Sequence, residues 1–98
     1  MSSNLPSHAA AALPLQRPGT WLRQSADENV IVDTDNSQLH VLNDTALALW
    51  QLCNGQNTVD EMITAVCELF GEPIDVVRRD VESALSGFDS AGLLLWTQ

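Results

Sequence analysis

The apolar positions of this chain change their period twice, and each change marks a boundary. Up to about residue 19 the sequence is rich in Ser, Ala and Pro and holds no sustained period. Residues 1–19 therefore read as a flexible arm and residues 20–98 as one folding domain. The alanine run at 9–12 lies between Pro6 and Pro14, which keeps any helical turn there short. From residue 21 the apolar stretches are brief and partly β-branched, and residues 21–25, 30–32 and 38–42 predict three strands. Between the last two, Asp33, Thr34, Asp35, Asn36 and Ser37 are residues that bond their own backbone in turns. Ala26, Asp27, Glu28 and Asn29 do the same earlier. Connections this short predict an antiparallel meander.

Beyond residue 43 the period becomes helical. Asn43 or Asp44 caps a first helix whose stripe is Ala46, Leu47, Leu49, Trp50 and Cys53, and Gly55 ends it. Thr58 and Glu61 have the spacing of a capping box, in which each side chain satisfies an orphan amide of the other. Met62, Ile63, Val66, Leu69 and Phe70 line this second helix, and Gly71 stops it. A third begins near Pro73 and Ile74, where the fixed dihedral of proline suits a first turn. Ile74, Val77, Val81, Ala84, Leu85 and Phe88 recur at three and four and form its buried face. Gly87 weakens the last turns by roughly 1 kcal/mol relative to alanine. The helix stops at Ala91 and Gly92, and the apolar tail from Leu93 to Trp96 packs under the sheet. The class is α+β: a three-stranded antiparallel sheet followed by three helices, like a winged helix-turn-helix with its wing at the front.

Charge narrows the function. There is no lysine; four arginines (Arg17, Arg23, Arg78, Arg79) face thirteen carboxylates, and the net charge is −9. A nucleic-acid reader needs several cations on phosphates, so nucleic acid is not an expected partner. The two cysteines, Cys53 and Cys67, sit inside helical stripes and read as small buried hydrophobes in a reducing compartment. No secretory signal or membrane-length apolar stretch is visible, which points to the cytoplasm and away from a membrane.

Catalysis finds no foothold. The only histidines, His8 and His40, lie in the arm and in the third strand, beside no nucleophile in a recognisable turn. Cys53 and Cys67 are a lone pair on different helices, with no second pair to complete a zinc site. No glycine-rich loop follows a strand, and Asp60, Asp80 and Glu82 read as solvated helix carboxylates. The chain is expected to be no enzyme, with no metal and no cofactor. What remains is surface. Leu39, His40, Val41 and Leu42 make the third strand apolar on both faces, a liability at a sheet edge unless it is covered or used. Used, it would accept a partner strand through main-chain hydrogen bonds; otherwise Leu42 and a neighbour are simply core.

These residues resemble a known family. Val30-Ile31-Val32-Asp33, then Leu39-His40-Val41-Leu42-Asn43-Asp44-Thr45-Ala46, Trp50 and Leu52-Cys53-Asn54-Gly55 are similar to the PqqD-like proteins. Thr58 to Glu61, Leu69-Phe70-Gly71, Asp80-Val81 and Ala91-Gly92-Leu93-Leu94 continue the likeness, which covers about residues 17–95. The departure is Asn54, where that turn usually carries Asp. The resemblance implies three antiparallel strands packed on three helices. It also implies a recognition element that binds the leader segment of a ribosomally made precursor peptide. The leader would lie as an extra strand along Leu39, His40, Val41 and Leu42, under the third helix. The complex would then present the peptide to a separate tailoring enzyme, such as a radical-SAM maturase or a leader protease. On the helix, Arg78, Glu82 and Leu85 are the expected groove wall, although helical spacing leaves open which flank faces the groove. The rival class is a winged-helix DNA-binding regulator, which the missing lysines disfavour.

Overall fold

The computed structural model describes residues 12–97, and their order is β1 (Leu13–Gln16), β2 (Thr20–Gln24), β3 (Asn29–Asp33), β4 (Gln38–Leu42), α1 (Asp44–Leu52), α2 (Val59–Phe70), α3 (Ile74–Ser90) and β5 (Leu94–Thr97). The expected meander is present as an antiparallel sheet in the order β2-β3-β4. Its turns follow from their side chains. Ser25 Oγ donates to the Glu28 carbonyl and accepts from the Glu28 amide, closing the β2–β3 turn. Asp33 accepts from the amide and the side chain of Asn36, and Ser37 takes a positive φ of 53° to finish the β3–β4 turn. Gly19 has φ 94°, and a Cβ there would fall 2.5 Å from a carboxylate oxygen of Asp35. Only glycine fits this entry to β2.

Register assigns every side chain to a face. Leu22 pairs with Ile31, and Ile31 with His40, so these stand on the inner face with Leu42 and Asp33. Trp21, Val32 and Leu39 form one outer row, and Arg23, Val30 and Val41 the next.

The helices close over the inner face. Asn43 caps α1 by accepting from the Ala46 amide. Thr58 and Glu61 form the expected capping box on α2, and Gly71 ends it in the left-handed conformation. The α1 chain leaves its helix at Cys53, two residues before the predicted glycine, and Gly55 takes a positive φ of 79° in the following loop. Ile31, Leu49, Trp50, Met62, Ile63, Val81 and Leu85 form the centre of one continuous core. Trp50 meets Phe88 edge to face at 5.4 Å. Burying each such aliphatic side chain is worth about 1.5–3 kcal/mol.

Five strands in two antiparallel sheets replace the expected three in one. The second sheet pairs β1 with β5, Leu13 facing Thr97 and Gln16 facing Leu94. The segment read as an arm is thus structured from Leu13 onward, while residues 1–11 lie outside the described part. The C-terminal tail zips onto β1 and does not tuck under the meander; Leu93 and Leu94 are buried and Trp96 packs on the core. Backbone bonds from Gln16 to Cys53 and from Gly55 to Pro14 tie this sheet to the end of α1. Arg17 fastens it to the meander, since its backbone amide and its Nε donate to the carbonyls of Leu93 and Gly92 while its guanidinium reaches Asp33 and Asp35.

Candidate functional site

The meander has two edges, and they differ in chemistry. β2 sets Thr20, Arg23 and Gln24, polar and cationic residues of the kind that discourage pairing, beside Trp21 and Leu22. β4 carries Leu39, Val41 and Leu42, and bonds β3 on one side only among the described residues. Leu42 is inner and buried, so that residue belongs to the core. Leu39 is 59% exposed and Val41 67% exposed, both pointing away from the helices. Beside Leu39 the outer row continues through half-buried Val32 to Trp21, itself 49% exposed. A strand laid on this edge would place alternate side chains next to an apolar shelf and next to His40.

His40 stands at the inner rim of the same edge. Its Nε2 is buried and has no hydrogen-bond partner among the described residues, an arrangement whose desolvation they do not return.

The helix residues are distributed differently from the strand residues. Arg78 is exposed and donates to Asp60 on α2 across 3.3 Å. Glu82 is half-buried on the same flank, and Leu85 is fully buried in the core. The chief packing of α3 is on α2, α1 and β5, and that of β4 outside its sheet is on α1. The structure therefore gathers Leu39 to Leu42 into one open edge and turns Arg78 toward α2. The opposite flank of α3, with Val76, Asp80 and Ala84, is the alternative wall that helical spacing permits. The outer shelf, with Trp21 at its far side, was not among the expected site residues. Alternation in Trp21-Leu22-Arg23 puts that indole opposite the core side of β2, which is the signal that could have found it.

Electrostatics concentrate away from this edge. Hydrogen bonding from Asn36, and then from Arg17, holds the Asp33 carboxyl below its ordinary range. Burial pushes the Cys53 thiol up to about 12, which leaves it no thiolate to act as a nucleophile. Among the described residues no cluster of His, Cys, Asp or Glu is arranged to hold a metal ion. No helix there is long and apolar enough to cross a membrane.

Known proteins share this architecture. Superposition gives a TM-score of 0.72 with TbiB1 in complex with the TbiA(beta) leader peptide, at 19% identity over 82% of this chain and 93% of that one. A lasso peptide synthetase B1 complexed with its leader peptide matches at 0.75, with 19% identity over 86% and 99%. The PqqD truncation of Methylobacterium extorquens PqqCD, described as a stand-alone RiPP recognition element, matches at 0.70, with 20% identity over 90% and 98%. At these identities the likeness establishes the α+β fold. No curated protein sequence matches the chain. The family model described as coenzyme PQQ synthesis protein D matches residues 28–94, from the end of the meander's first turn to the first residue of β5, and the chain belongs to the PqqD family.

Proposed function

We propose that this chain binds the leader segment of a ribosomally made precursor peptide as an added strand on β4 and hands the bound peptide to a separate modifying enzyme. The observation that carries the reading is the open edge of β4, apolar at Leu39 and Val41, where the other edge sets Thr20, Arg23 and Gln24 beside Trp21. Main-chain bonds along Leu39, His40, Val41 and Leu42 would set the register, and the pockets on either side would choose side chains. The unpartnered His40 nitrogen gives the inner side of that edge a polar preference. Structures that share the fold hold leader peptides, which supports the same occupant here.

On this reading the binding unit is residues 20–98, arranged as a winged helix with its wing at the front and buttressed by β1. The proposed helical wall is Arg78 and Glu82 over buried Leu85, and the flank of Asp80 and Ala84 is the alternative that the Arg78–Asp60 contact leaves in play. The chain supplies position and the partner, a radical-SAM maturase or a leader protease, supplies the chemistry. Arg17 and Arg78 are engaged with carboxylates, which leaves little cationic surface for a DNA-binding alternative.

Titrating isotope-labelled protein with peptides from an adjacent precursor gene tests the reading. Amide shifts are expected at residues 38–42 and along residues 78–89. Shifts confined to residues 58–70 would place the peptide elsewhere and sink this assignment.

A further inference from the structure

The corner between α2 and α3 presents an apolar surface that the core does not use. Leu69 and Phe70 end α2, Ile74 opens α3, and they are 67%, 38% and 53% exposed. Gly71 turns the chain between them at a positive φ of 67°, and a Cβ placed there would face open space. Three large apolar side chains projecting from one turn are more than scattered surface hydrophobes. Their immediate surroundings are mainly acidic, the first cations on α3 being Arg78, paired with Asp60, and Arg79, one turn beyond Ile74 and Asp75. Glu68, Glu72 and Asp75 are all exposed around them, and no lysine or arginine occurs between Arg23 and Arg78.

From this we infer that the α2–α3 corner is the surface by which the chain docks on its modifying enzyme, in an apolar socket rimmed by lysine or arginine. Charge selects that occupant. A second copy of this chain would bring the same three carboxylates to the contact, and an anionic membrane or nucleic acid would be repelled in the same way. A basic rim meets Glu68, Glu72 and Asp75 favourably, steers the encounter and fixes orientation, while Leu69, Phe70 and Ile74 supply the apolar anchor. The inference rests on the proposed delivery role and gives it a division of surfaces, with the peptide on β4 and the enzyme on the helical corner, so that both are held at once.

The test uses the full chain, its precursor peptide and the modifying enzyme encoded beside it. Two double variants are made, Leu69→Ser with Ile74→Ser, and Glu68→Lys with Glu72→Lys. Both pairs are exposed, and melting curves verify that each variant folds. The first is expected to weaken enzyme binding by about tenfold or more, as loss of a central anchor does, with leader affinity unchanged. The second is expected to slow association and to remove the weakening of the wild-type complex by added salt. Enzyme affinity equal to wild type in both variants, or a parallel loss of leader affinity, overturns the docking surface. Failure of the wild-type chain to bind leader while the enzyme still discriminates the variants removes the delivery role and leaves the corner standing.

Discussion

Nη2 of Arg17 lies 2.8 Å from Oδ2 of Asp33, and the carboxylate of that pair is wholly buried while the guanidinium keeps 21% of its surface. The contact joins the segment after β1 to the end of β3, so one ion pair couples the two sheets. A buried carboxylate left without its cation is costly, and Asp33→Ala is expected to spare more stability than Arg17→Ala. Thermal melts of both variants at neutral pH check the order.

The same pair predicts an acid limb. Asp33 titrates below its ordinary value in the folded chain because Asn36 and Arg17 stabilise its charged form. Its contribution is therefore fully present above the ordinary aspartate value of about 3.9 and is lost as pH falls through the lower folded value. Melting temperature followed downward from pH 7 should drop below about pH 4, and the drop should be shallower in Asp33→Asn. Identical acid limbs would remove Asp33 from this role.

Trp50 is 1% exposed, and Trp50→Ala is expected to cost about 3–5 kcal/mol, much of the stability of so small a domain. Its Nε1 is buried without a partner among the described residues, so Trp50→Phe strands no acceptor there and loses only packing. Denaturant unfolding should rank the two in that order, and equal losses would show that the indole nitrogen matters.

Along an antiparallel edge strand, alternate residues bond the neighbouring strand and the others point outward. His40→Pro and Val41→Pro therefore remove donors from opposite sides of β4. One should damage the sheet, and the other should keep the circular dichroism of the helices while abolishing peptide titration. If the fold-sparing variant binds peptide like wild type, strand addition at β4 is wrong.

Arg78 and Asp60 are both well exposed, so Arg78→Ala should change stability by less than about 1 kcal/mol. Its effect on binding separates the two flanks of α3. Marked weakening toward an acidic leader, with little change toward a neutral one, puts Arg78 at the groove. No difference assigns the wall to the flank carrying Asp80 and Ala84.

Alkylation distinguishes the thiols. Cys53 is fully buried with its thiol pushed up to about 12, whereas Cys67 is half-buried. Mass spectrometry after mild iodoacetamide at pH 8 should find Cys67 labelled first and Cys53 labelled only on unfolding.

The meander and helices were legible because their signals are local. Thr58 with Glu61, and Gly71, act within a few residues of themselves and do what their chemistry dictates. The β1–β5 sheet was not legible, since each strand has four residues, Pro14 interrupts any strand pattern, and the partners come from opposite ends of the chain. No period within a window reports a pairing that distant. The edge strand was visible in Leu39 to Leu42 because both faces are apolar. The direction of Arg78 was not, because three- and four-residue spacing defines a stripe without saying which neighbour each side of it meets.

The pairing of Leu13 with Thr97 has a mechanical consequence. The chain enters and leaves the domain at one point, as two cords leave a single knot. Tension applied through those two ends acts on β1 and β5 one residue pair at a time, peeling them like a zipper. The outermost pair, Leu13 with Thr97, parts first, and from Pro14 inward the load passes through the Gly55 and Cys53 backbone bonds into the end of α1.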